Sequence, residues 1–129
     1  MKKEIIYTDQ APSPAGKYSQ AVKLGNLVFL AGTVPFDLKT GAMLEPGNMG
    51  AQTKIVLQYM QQILLKAGSS LDHVVKVTAF IDDLDRFKEY DQAYSEFFNG
   101  EPPARSTIQV AKFLPGMCVE IECIAYVPE

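Results

Sequence analysis

The chain has 129 residues, and its 15 acidic side chains outnumber 12 lysines and arginines, for a formal net charge of −3. That length fits a single domain over residues 1–129, and 47% hydrophobic with 21% charged residues is globular rather than disordered composition. An acidic chain lacks the basic surface that grips a phosphate backbone, so nucleic acid is not the expected partner. No apolar run is long enough to span a bilayer, and Met1-Lys2-Lys3-Glu4 leads into no signal-peptide core. A cytoplasmic protein without membrane contact is expected. Cys118 and Cys123 fall in one apparent strand at an odd spacing, which points them to opposite faces and leaves both thiols free.

Tyr18–Leu24 and Leu27–Ala31 read as strands joined by Gly25-Asn26, a two-residue hairpin signal. Residues 35–47 contain Asp37, Gly41, Pro46 and Gly47 and read as a loop. A helix is predicted from about Met49 to Ala67, because Val56, Met60, Ile63, Leu64 and Ala67 recur by threes and fours. Asn48 is its expected N-cap, and Gly68 lies past its end. Val74–Ile81 is rich in β-branched residues and reads as a strand. Asp82 and Asp83 suit a helix start, and a second helix is predicted from about Leu84 to Phe98. Its buried stripe is Phe87, Tyr90, Tyr94, Phe97 and Phe98, and Gly100 with Pro102-Pro103 ends it. Strands Ala104–Val110 and Cys118–Val127, joined by a turn region containing Pro115-Gly116, complete the order β-β-α-β-α-β-β. That order implies an α+β two-layer domain with two helices on one face of a mixed sheet.

Two helices cover one face only, and the other should be polar if it meets water. Yet Leu27 to Ala31 and Val74 to Ile81 are apolar at almost every position, and Ile124 and Tyr126 share a face with Glu120 and Glu122. Self-association is the simplest second cover, with loops as the alternative.

His73, the single histidine, sits at a helix-to-strand junction and reads as a solvated loop residue. No His-containing zinc pattern, phosphate loop or fixed-spacing ligand set is present, which rules out the mechanisms that need them. The acids from Asp82 to Asp91 suit a helix start rather than a metal site. Strand alternation puts Arg105, Thr107 and Gln109 on one face and Ser106, Ile108 and Val110 on the other. With the second set assigned to the helix side, Arg105 is expected on the uncovered face. A turn near Phe113-Leu114 would bring Glu120 and Glu122 within its reach. Such a cluster serves either as a cross-strand or inter-subunit ion pair, or as a site whose planar guanidinium takes a ligand carboxylate. In the second case a nearby glutamate orients water as general base or acid. Tyr18, taken alone, reads as an ordinary strand aromatic.

Pro103-Ala104-Arg105-Ser106 followed by Glu120-Ile121-Glu122 is similar to the C-terminal signature of the reactive-intermediate deaminase (Rid/YjgF) family. Ala11-Pro12 with Gly16 and Tyr18, Leu24-Gly25-Asn26, Ala31-Gly32-Thr33-Val34-Pro35 and the segment from Phe80 to Phe98 extend the resemblance over nearly the whole chain. The resemblance implies a chorismate-mutase-like homotrimer with three inter-subunit clefts. It also implies hydrolysis of 2-imino acids and their enamine tautomers, released by pyridoxal-phosphate enzymes, to 2-keto acids and ammonia, without metal or cofactor. By position, Arg105 would bind the substrate carboxylate, Glu120 would hold the attacking water, and Tyr18 would pack against the substrate. Backbone groups at Gly32 and Thr107 would hold the rest of the ligand. The chain departs from the family pattern in carrying Ala31 where a serine is common, Thr107 where cysteine is frequent, and Asp91 where several deaminases carry asparagine. A trimeric binding module for small carboxylates, and a single-strand ribonuclease or translation inhibitor, are the alternative functions.

Overall fold

The computed structural model describes residues 1–129. Six strands form one sheet in the order β1-β2-β3-β6-β4-β5. They are β1 Lys3–Ile6, β2 Ala21–Leu24, β3 Leu27–Thr33, β4 Val74–Ile81, β5 Ala104–Gln109 and β6 Val119–Tyr126. Helices α1, Met49–Lys66, and α2, Phe87–Ser95, pack together on one face. Only the β4–β5 pair is parallel, so the sheet is mixed and the α+β two-layer expectation is correct.

Local chemistry explains most boundaries. Gly25, at φ 61°, takes the left-handed turn that lets Leu24 pair with Leu27. Asn48 accepts a hydrogen bond from Ala51 N–H at 3.0 Å and caps α1. Gly68, at φ 87°, ends it, and Ser69 N–H closes onto the Leu64 carbonyl at 2.8 Å. The α1 stripe meets Val28, Leu30, Val77, Ala79, Ile81, Val119, Ile121, Cys123 and Ala125 in one core. Both cysteines are buried and free.

The first predicted strand begins at Ala21, so Tyr18, read as a strand aromatic, lies in the preceding loop. Three further features depart from expectation. β1 is an additional edge strand; only Ile6 is buried among its four residues, so no periodicity announced it. The second helix is shorter, because Leu84–Arg86 is a 3₁₀ turn and the α-helix ends at Ser95. The third matters for the site. β5 and β6 are not hairpin partners, since β6 inserts between β3 and β4 and leaves β5 at the far edge, parallel to β4. That register aligns Arg105 with Val77 and Thr107 with Ala79, both core residues facing the helices. Arg105 and Thr107 therefore lie on the helix side. Ile108, assigned there with Ser106 and Val110, is instead 48% exposed.

A buried amide fixes the approach to β6. Gln52 of α1 donates to the carbonyls of Leu44 (3.1 Å), Glu45 (3.1 Å) and Gly116 (2.8 Å), and accepts from Cys118 N–H at 2.7 Å. Gly116 keeps a second partner in Gly47 N–H, so removing Gln52 mainly orphans the buried Cys118 amide. Gln52→Leu should lower stability by about 1–3 kcal/mol in urea denaturation, since an unpaired buried donor costs more than the bond itself contributed. A loss below about 0.5 kcal/mol would mean that the network is dispensable.

Candidate functional site

Arg105 enters the space beneath α2. Its Nη1 donates to Asp91 Oδ1 at 2.8 Å, and the rings of Tyr94, Tyr90 and Phe87 surround its central carbon at 4.5, 5.3 and 5.5 Å. Each such contact is worth about 0.5–2 kcal/mol, depending on desolvation. Burial opposes the guanidinium charge, but the Asp91 hydrogen bond, the neighbouring Tyr90 and Tyr94 and the Asp91 charge outweigh it, and the net shift strengthens protonation. A cavity of about 400 Å³ reaches this cation, lined by Asp91, Tyr94, Ser95, Phe98, Pro102, Pro103 and Arg105. Behind it Thr107 Oγ1 shares a hydrogen bond with Tyr90 Oη at 3.2 Å. Tyr94 Oη is buried with no hydrogen-bond partner.

A second group forms around β3 and β6. The β3–β6 ladder is irregular between Leu30 and Thr33, and Gly32 sits within that irregularity. The Glu120 carboxylate lies directly over Gly32, so close that a β-carbon there would overlap its Oε2. Glycine is required for this approach. Tyr18, Ala31 and Gly32 line one small hollow with Pro12 and Gln20, and Tyr18 Oη accepts from Ala15 N–H at 3.2 Å. On its other side Glu120 borders an apolar hollow of about 430 Å³ with Val34, Phe36, Phe113, Leu114 and Met117, where Lys112 is the one cation. Burial, then the Glu122 charge, pushes the Glu120 carboxyl above the ordinary glutamate range.

The two groups do not meet within one chain. Glu120 pairs with Phe80 and Glu122 with Thr78 on the face opposite the helices, whereas Arg105 is under α2 with β4 intervening. The expected Arg105–Glu120–Glu122 cluster on one sheet face is thus corrected, because the parallel β4–β5 register reverses the side to which Arg105 points.

Against known proteins, residues 8–127 match the family model described as Endoribonuclease L-PSP. The chain is 42% identical over 125 residues to Reactive Intermediate Deaminase A, chloroplastic, of Arabidopsis thaliana, covering 97% of this chain and 66% of that protein. Its fold is similar to RidA from the Antarctic bacterium Psychrobacter, with TM-score 0.90, 38% identity, and 96% of this chain and 99% of that one covered. E. coli TdcF with bound serine is also similar, with TM-score 0.88, 36% identity, and 95% and 98% covered.

The chain belongs to the L-PSP/Rid family. The motif resemblance is correct, and the family includes proteins named as reactive intermediate deaminases. As in the sequence, this member carries Ala31, Asp91 and Thr107 at the three departures. No group of three or more His, Cys, Asp or Glu side chains converges as a metal site would, and no helix is long and apolar enough to cross a membrane. His73 bonds Ser70 Oγ at 2.9 Å and packs edge-on against Tyr126, a structural role.

What the sequence did not disclose is the aromatic enclosure. Phe87, Tyr90 and Tyr94 have the spacing of a core stripe, and they do pack on the core, but they also hold the guanidinium. Its only sequence signal was an arginine in a strand beside an unusually aromatic helix.

A carboxyl raised in the folded state favours folding most at low pH, and that contribution is lost as pH rises through the folded value. At neutral pH Glu120 thus destabilises the fold, and Glu120→Gln should melt at a higher temperature than wild type near pH 7. The gap should close as pH falls below the ordinary value of 4.5. Thermal denaturation at several pH values tests this, and a pH-independent gap would count against a perturbed carboxyl.

Proposed function

We propose that this protein hydrolyses reactive 2-imino acids and their enamine tautomers, arising from pyridoxal-phosphate enzymes, to 2-keto acids and ammonia. The observation that carries this reading is the Arg105 guanidinium, immobilised by three rings and one carboxylate yet open to a cavity. A planar fork held in this way matches a ligand carboxylate, which a lysine cannot do. Kinship with proteins named as reactive intermediate deaminases, including the 42%-identical Arabidopsis protein, supports the choice of reaction.

The chemistry asks little of the protein, because an imine carbon is already electrophilic. Glu120 takes a proton from water as its oxygen bonds to C2, the C=N π pair moves to nitrogen, and Glu120 passes that proton to the nitrogen to give the carbinolamine. Glu120 then takes the hydroxyl proton and delivers it to the amine as the C–N bond breaks, so that ammonia leaves and the C=O of the keto acid forms. A carboxyl raised by burial is suited to both transfers. Tyr18 and the Gly32 backbone border the ligand, and the backbone at Thr107 holds its far side.

Since Arg105 and Glu120 occupy opposite faces of one sheet, a ligand that touches both needs two subunits. We therefore assign the site to inter-subunit clefts of a homotrimer. Supporting this, the face opposite the helices exposes Leu27, Phe29, Ile108 and Tyr126 at 37–48% of their surface. Ile5, Val22, Phe29 and Ile124 form a continuous row across four strands of that face. Apolar surface of this extent favours a partner. Light scattering at micromolar concentration should give three times 14.2 kDa, and a stable monomer at that mass would remove the cleft.

With 2-iminobutanoate or 2-iminopropanoate generated in situ by a dehydratase, wild type should speed keto-acid formation above the rate in buffer. Arg105→Ala should lose nearly all of this, a charge-assisted bond of about 1.5–3 kcal/mol and its orientation going together. Arg105→Lys should rescue poorly. Gly32→Ala should fold but lose turnover, because its β-carbon displaces the Glu120 carboxylate, the flexible end of a side chain. Unchanged imine decay with wild type, alongside keto-acid binding through Arg105, would replace the enzyme with a non-catalytic carboxylate-binding module.

A further inference from the structure

The cavity at Arg105 has an unusual charge arrangement for an anion site. Its lining contains two charged groups, Arg105 and Asp91, whose formal charges cancel, while Phe98, Pro102 and Pro103 supply apolar wall. Asp91 takes one donor of Nη1 and leaves the rest of the five-donor fork available. A ligand with a single carboxylate can use those donors at short range and accept modest repulsion from Asp91. A second negative charge finds no uncommitted cation in this cavity. In the other residue group it would meet Glu120 and Glu122, opposed by exposed Lys112 and by Lys76 on the same face, whose ammonium donates to Ser106 Oγ at 3.1 Å.

We infer that Asp91 sets the charge specificity of the site, admitting ligands with one carboxylate and disfavouring those that carry a second anionic group. The substrate class is then 2-imino and 2-keto acids with uncharged side chains, and apolar ones in particular, given the apolar hollow beside Glu120. This rests on the proposed role of Arg105 as carboxylate anchor. The alternative for Asp91 is pure positioning, in which its bond to Nη1 holds the guanidinium and the charge is incidental. The two differ in one respect. Positioning affects all ligands alike, whereas charge selection depends on the ligand's own charge.

The experiment uses two probes of nearly equal size that differ by one charge: 2-oxoglutarate and its side-chain amide, 2-oxoglutaramate. Calorimetric titration at low ionic strength should show wild type preferring the amide. Asp91→Asn keeps an oxygen that accepts from Nη1 but removes the charge. It should narrow that preference by about ten-fold, the scale expected when a partly screened charge a few ångströms from a ligand is neutralised. Asp91→Ala should narrow it in the same direction, and added salt should compress the wild-type preference more than that of Asp91→Asn. Parallel weakening of both probes in the two variants, at an unchanged ratio, would overturn the inference and leave Asp91 as a positioning residue. If instead Arg105→Ala binds either probe as tightly as wild type does, or wild type binds neither, the anchor role of Arg105 fails and the inference goes with it.

Discussion

The hydrogen bonding of β6 on both edges is the constraint from which the rest of the site geometry follows. Paired antiparallel to β3 and to β4, this last strand occupies the middle of the sheet and sends Val119, Ile121, Cys123 and Ala125 into the core. Alternation then forces Glu120 and Glu122 onto the opposite face. Because β6 holds the central position, β5 is displaced to the edge, where it can only pair with β4, and does so in parallel. The α2 helix supplies the crossover that such a pair needs. It also brings three aromatic rings over the strand it precedes.

Charge is handled differently in the two halves. Arg105 is about one-quarter exposed, and its cost of burial is offset by Asp91 and by ring faces aimed at the cation. Glu120 has no cationic partner. It is placed by steric means, through the missing side chain of Gly32, and burial leaves its carboxyl more readily protonated. A fixed cation and an adjustable carboxyl are the two components that carboxylate anchoring and proton transfer require. Their separation within a chain makes self-association part of the proposed chemistry as well as of stability.

Much of the fold was legible because it depends on local periodicity. The α1 stripe, the Asn48 cap, the Gly68 terminus, the Gly25-Asn26 hairpin and the full extent of β4 are all encoded within a few residues of where they act. β1 was not legible, since a short edge strand with one buried residue has no period to detect. The family was legible from spaced motifs, which bring Arg105, Glu120, Gly32 and Tyr18 forward as candidates without placing them.

The sequence by itself determined the type of every long element, though not β1, together with the inward residues of β6 and the identity of the chemically capable side chains. These properties depend on 3.6- and 2-residue periods and on side-chain chemistry alone. Only the tertiary structure decided which face of the sheet Arg105 occupies. In an edge strand of sequence Ala-Arg-Ser-Thr-Ile-Gln neither parity is clearly apolar, so alternation assigns the two sets without saying which one is buried. The neighbouring strand settles it: the register of Val77 with Arg105 turns the guanidinium toward α2, where rings and Asp91 offset its desolvation, and leaves Ile108 on the outer face.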